Sequence, residues 1–230
     1  MLKIVLYPVL ALSPLALWAQ ENPAQGTVFT YDEAQIDGIL ESPDVSDLTI
    51  QVIASDSAEV AVFSCRSSGE CDATIGEDFL RFRYRAYTTS DQQNDFDFDK
   101  IADWPDVNAI TTYDASGGDM FPLENGKTLR WTEIWTSFGY NAVFEISIEQ
   151  TCCKAPSDGF SVSDELWELR LIFQQTEGDG YSEGEQVYLF DPALNWYVSA
   201  NMRVAFRDDD PNEKLETSLS RQVLRSVRQQ

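Results

Sequence analysis

Apolar side chains recur at every second position through much of this chain, and that period restricts the fold more than any other feature. Trp196, Val198, Ala200, Met202, Val204 and Phe206 alternate with Tyr197, Ser199, Asn201 and Arg203. A strand with one face on a core and the other in water has this period. Residues 48–54 and 59–65 repeat it on either side of Ser55-Asp56-Ser57-Ala58, which predicts a hairpin. Residues 128–137 and 141–151 predict a second hairpin about Phe138-Gly139-Tyr140, with Ala142, Phe144, Ile146 and Ile148 on one face. Trp167, Leu169, Leu171 and Phe173 line a further strand, residues 186–190 another, and Asp191-Pro192-Ala193-Leu194-Asn195 reads as a turn.

Helix is scarce in this reading. Residues 31–40 are expected to form a short helix. A second is expected over residues 214–228, where Leu215, Leu219, Val223 and Val227 recur at every fourth position after the Asp208-Asp209-Asp210-Pro211 break. Residues 91–118 show no clear period and read as an irregular connection. The expected fold is mainly β, an antiparallel curved sheet or sandwich with a short C-terminal helix, forming one domain over residues 20–230.

Residues 1–19 read as a signal peptide. Lys3 supplies a positive start, residues 4–18 are almost wholly apolar, and Ala19 offers a small residue for cleavage. A membrane-spanning helix needs about 20 apolar residues, whereas Pro8 and Pro14 interrupt this shorter run. No cysteine follows the apolar stretch, so a lipid anchor is not expected. An exported, periplasmic or secreted protein is expected, with no stable membrane insertion after cleavage.

Charge and composition then narrow the chemistry. The chain carries 39 acidic and 16 basic residues, a formal charge of −23. Such a surface repels phosphate backbones, so nucleic acid is not an expected partner; a protein, glycan or lipid is. Histidine is absent, which removes the usual general base at neutral pH and every Ser-His or Cys-His nucleophile. Carboxylate-only catalysis stays open.

The cysteines are Cys65, Cys71, Cys152 and Cys153. An oxidising compartment favours disulfides, and a local Cys65–Cys71 clip around the short 66–70 loop is the favoured pairing. That pairing would leave Cys152 and Cys153 as a vicinal bridge; the alternative staples both to the 65/71 loop. A zinc site of four cysteines lacks the usual paired Cys-x-x-Cys spacing.

Three constellations stand out as candidate sites. Asp95, Asp97, Asp99, Asp103 and Asp106 follow the ligand spacing of an EF-hand loop. Lys100 stands where that loop needs glycine, so Ca²⁺ is the one cofactor considered and none is the default. Arg81, Arg83 and Arg85 alternate with Leu80, Phe82, Tyr84 and Ala86 on a predicted strand over residues 79–87. They form a basic stripe able to grip an anion or pair with acids across the sheet. Trp131 and Trp135 share one strand face with Glu133 between them, as core or as a stacking surface. Glu133, Glu145 and Glu149 carry no mark of a glycosidase pair.

Met120-Phe121-Pro122-Leu123-Glu124-Asn125-Gly126-Lys127, followed by Trp131, resembles the Phe-Pro-Leu-x-x-Gly-Lys pattern of uncharacterised exported bacterial β-rich proteins. Residues 188–198, with Asp191-Pro192 and Asn195-Trp196-Tyr197-Val198, are similar to their later strand-turn-strand segment. The resemblance covers residues 120–206 and implies an extended antiparallel sheet in a bacterial envelope, with no catalytic residues. The expected function is therefore a non-catalytic exported binding or envelope-support protein that uses a β-sheet surface. A carboxylate-only glycan-active enzyme and a Ca²⁺-dependent adhesion or scaffold protein are the alternatives.

Overall fold

The structure, a computed structural model, describes residues 22–37, 44–55, 60–76, 82–89, 108–137, 140–156, 159–178, 180–207 and 214–229. The leader and the Asp95 to Asp106 loop lie outside these residues. The described elements are all strands: β1 (Thr27–Asp37), β2 (Asp44–Ser55), β3 (Val60–Arg66), β4 (Glu70–Gly76), β5 (Phe82–Thr89), β6 (Asn108–Ser116), β7 (Thr128–Ser137), β8 (Tyr140–Lys154), β9 (Leu166–Gly178), β10 (Tyr181–Asp191), β11 (Trp196–Arg207) and β12 (Glu216–Gln229). Each pairs antiparallel with its sequence neighbours, and β1 pairs with β12, so a single sheet closes into a barrel. Closure pairs most of the sheet edge that could otherwise recruit another chain, although β5 and β6 pair only at Tyr84–Ala109 and Arg85–Asn108.

Three expectations are corrected. Residues 214–228 do not form a helix: from Glu216 onward they are β12, hydrogen-bonded to β11 on one side and β1 on the other. An apolar residue at every fourth position satisfies a period of two as well as one of 3.6, and here the demand of β1 and β11 for a partner decides. Residues 31–37 are strand rather than helix, lying within β1. Residues 108–116 of the expected irregular connection form β6. The hairpins β2–β3 and β7–β8 stand where the alternation puts them.

One end of the barrel is filled with apolar side chains. Phe29 stacks on Trp196 at 5.1 Å between ring centroids, and Phe29, Trp196, Phe190, Leu169, Leu166 and Leu224 are at most 2% exposed. A second cluster, holding Met120, Trp131, Ile146 and Ile148, meets the first through Phe121. The 117–127 connection closes this end. Buried Gln150 holds it, accepting from the Glu124 N–H at 2.8 Å and donating to the Met120 carbonyl at 2.8 Å. Asp191 does the same for the segment after β8. It is 0% exposed and accepts from the N–H groups of Val162 at 2.6 Å, Ser163 at 3.0 Å and Ala193 at 2.8 Å, and from the Ser163 hydroxyl. Gly159 lies so near β12 that a Cβ there would meet the Leu224 carbonyl oxygen at 2.6 Å. Phe121 of the 117–127 connection meets Phe190 at the end of β10, with ring centroids 5.7 Å apart.

Cys65 and Cys71 are directly opposite in the β3–β4 register and are bonded, with Cα atoms 4.1 Å apart. Cys152 and Cys153 form the vicinal bridge. The local clip is therefore the observed connectivity.

Candidate functional site

Toward the other end, the inner positions turn polar. Glu33 on β1 is 4% exposed and takes a two-pronged contact from Arg66 on β3, Nε at 2.6 Å and Nη2 at 3.3 Å. Gln222 on β12 donates to it at 2.8 Å and Ser46 on β2 at 3.3 Å. The Tyr197 hydroxyl donates to Gln222 Oε1 at 3.1 Å, and the Tyr31 hydroxyl donates to the Tyr197 carbonyl at 2.8 Å. Burial, the largest effect, with the neighbouring phenol adding to it, raises the Tyr31 pKa well above its ordinary value; burial does the same for Tyr197. Both remain neutral phenols. This network neutralises its one carboxylate and stitches the β1–β12 seam.

Across the interior, β7 builds a different arrangement. Alternation along a strand puts Trp131, Glu133 and Trp135 on one face, and the burial of Trp131 at 6% and Glu133 at 6% shows that this is the inner one. Trp131 Nε1–H donates to Glu133 Oε1 at 2.6 Å, and Trp135 Nε1–H donates to Oε2 at 2.8 Å. Burial raises the Glu133 pKa from its ordinary value, and the two indole donors oppose that only in part. No cation is paired with this carboxylate among the described side chains, which do not include those of Arg83 and Arg85.

Register extends the site along the sheet. Glu133 stands opposite Phe144 on β8, and Phe173 on β9 stands opposite Gly184 on β10. Trp135, 37% exposed, meets Phe144 at 5.2 Å with planes 53° apart. Phe144 meets Phe173 at 6.1 Å and 68°. Gly184 is required here: a Cβ at that position would lie 2.6 Å from the Arg203 carbonyl oxygen, and 2.5 Å from Phe173 Cζ. The result is a bent aromatic wall beside a buried carboxylate.

The sequence candidates fare unequally. Trp131 and Trp135 do share a face, divided between core and opening. Arg81 lies outside the described residues; Arg83 and Arg85 fall in β5, with Arg85 opposite Thr74 and Asn108 in register. The five aspartates from Asp95 to Asp106 lie outside the described residues, and no His, Cys, Asp and Glu group suited to a metal occurs among the described ones. Glu145 and Glu149 are exposed and lie on the opposite sheet face from Glu133, since Glu145 pairs with Thr132 and Glu149 with Thr128. That arrangement denies Glu133 a catalytic partner among them. Phe173 was read from sequence as a strand-face residue only, and Glu33, Arg66, Gln222 and Gly184 were not singled out, because only the barrel register brings them inward.

No protein-family model matches the sequence, and no curated protein matches it. Two solved structures are similar in outline. The hypothetical lipoprotein YmcC from Escherichia coli K12 aligns with 85% of this chain and 87% of its own, at a TM-score of 0.43 and 6% identity. A protein with a YmcC-like fold from Bacteroides fragilis aligns with 90% of this chain and 98% of its own, at 0.38 and 11%. At TM-scores this low neither likeness carries an argument, and function is read from the residues alone.

Proposed function

We propose that this chain is an exported, non-catalytic binding protein that takes a small ligand against the inner surface of its barrel, toward the end opposite the apolar plug. The observation that carries this reading is the Trp131–Glu133–Trp135 arrangement, a fixed carboxylate beside a partly exposed aromatic wall. Binding sites of this kind combine apolar lining with a few placed polar groups. Export is supported by the leader pattern and by the Cys65–Cys71 disulfide, a bond that persists in oxidising compartments. No helix among the described residues is long and apolar enough to cross a membrane. The barrel's outward positions also weigh against a membrane barrel, because exposed Arg130, Glu145, Glu149 and Arg170 occupy the outer face of β7–β9, where lipid would require an apolar band.

A glycan-active enzyme is the second reading, since a buried acid with a raised pKa is what a general acid requires. Against it, the other buried carboxylate of the polar interior, Glu33, is neutralised by Arg66. The test uses N-phenyl-1-naphthylamine, a neutral dye that brightens in apolar surroundings. Saturable brightening with the full chain, weakened about tenfold in Trp135→Ala, is expected. An absence of saturable uptake overturns the binding reading, and glycan hydrolysis abolished by Glu133→Gln overturns the non-catalytic one.

A further inference from the structure

The polar interior contains two buried carboxylates in opposite situations. Glu33 has a guanidinium, an amide and a hydroxyl around it. Glu133 has two neutral indole N–H groups and, among the described side chains, which leave out Arg83 and Arg85, no paired cation. A buried carboxylate without a counter-ion is costly, and an opposite charge brought beside it lowers that cost. Beside it, Trp135, Phe144 and Phe173 meet at tilts of 53° and 68°, so the three rings do not lie in one plane.

We infer that the inner-face site formed by Glu133, Trp135, Phe144 and Phe173 takes an organic cation, a quaternary ammonium or protonated amine with a short apolar body. The inference rests on the binding reading above and names the ligand class of that same site. Ring faces attract cations through their quadrupole, most strongly Trp, and the carboxylate supplies the opposite full charge. A sugar would instead favour a flat, open ring face and carboxylate oxygens free to accept hydroxyls; here both oxygens already accept indole protons. The chain's formal charge of −23 adds a long-range pull on cations.

The experiment is displacement of N-phenyl-1-naphthylamine by choline and by 3,3-dimethylbutan-1-ol, which has the same shape with carbon in place of nitrogen. Ionic strength is held near roughly 0.15 M, where the diffuse field of the protein is screened beyond about 8 Å. Choline is expected to displace the dye at about tenfold lower concentration than the alcohol. Glu133→Gln should abolish that preference, and Trp135→Leu, which keeps the carboxylate and apolar bulk, should reduce it. Equal displacement by the two compounds overturns the inference, as does a preference that survives in folded Glu133→Gln. If that variant does not fold, the wild-type comparison and Trp135→Leu still decide. Failure of dye uptake condemns the binding reading itself, whereas uptake without choline preference condemns only the cation.

Discussion

Three buried carboxylates show how far a single side chain's surroundings set its role. Glu33 is neutralised by Arg66, Glu133 is held by neutral donors, and Asp191 is fixed by backbone. Burial is the largest single influence on Asp191 and pushes its pKa upward. Hydrogen bonds from Ser163, Val162 and Ala193 together outweigh it, so the net shift is below the ordinary 3.8. A carboxyl whose folded pKa is depressed stabilises the fold above its unfolded pKa and loses that contribution as pH falls through the folded value. Asp191→Asn should therefore cost about 2 kcal/mol near neutrality, from hydrogen bonds to a charged acceptor. The deficit should begin to shrink below about pH 3.8, where the unfolded chain takes up a proton at this position, and close once pH has fallen through the lower folded value, where the native carboxyl is protonated too. Urea midpoints of both proteins at neutral and strongly acidic pH check this, and an unchanged gap would sink the assignment. From sequence, Asp191 was legible only as a turn residue, because its partners Val162 and Ser163 belong to a different connection.

The strands differ in how openly the sequence announces them. β7, β8 and β11 alternate apolar and polar residues over long runs, and their pairing follows directly. β6 is rich in Thr, Asp and Ser and shows no such period; it becomes a strand through the hydrogen bonds offered by β7. β12 is the instructive case, since its every-fourth spacing fits either geometry and only ring closure separates them. The two geometries bury different residues. A helix would bury the Leu215, Leu219, Val223 and Val227 stripe, whereas the strand leaves Leu219 41% exposed and Leu224 at 0%. A register shift between Thr30 and Tyr31 puts Leu224 opposite Tyr31 and Val227 opposite Phe29, so both meet the plug. Leu224→Ala should cost about 3 kcal/mol by opening a cavity, and Leu219→Ala no more than about 0.5 kcal/mol. Equal losses in chemical denaturation, or the reverse order, would contradict the strand.

For the whole molecule, closure and charge act against each other. The ring brings Thr27–Asp37 beside Glu216–Gln229, and Arg225 bridges that seam to Asp32 at 3.0 Å and Asp47 at 3.2 Å. The acidic excess that favours such a contact was legible in the sequence. The interior site was not, beyond its Trp-x-Glu-x-Trp core, because Phe173 and Gly184 reach it only through the register of neighbouring strands. With 39 acids against 16 bases, repulsion between unpaired carboxylates spreads over the surface, while exposed pairs such as Arg225–Asp32 contribute about 0–1 kcal/mol each. Salt screens both, and the excess of acids makes repulsion the larger loss. Raising NaCl from about 20 mM to about 500 mM shortens the Debye length from roughly 20 Å to roughly 4 Å. Recovering about 1–2 kcal/mol in this way should raise Tm by about 2–8 °C for a chain of this size. Scanning calorimetry across that range measures it. A Tm that is flat or falls with NaCl would mean that ion pairs, not repulsion, dominate the surface. The same instrument separates screening from a specific site: at matched ionic strength, CaCl₂ and MgCl₂ should act alike if charge alone matters. A selective rise with CaCl₂ would instead point to Asp95, Asp97, Asp99, Asp103 and Asp106 as ligands, because binding to the folded state alone raises Tm with free cation concentration.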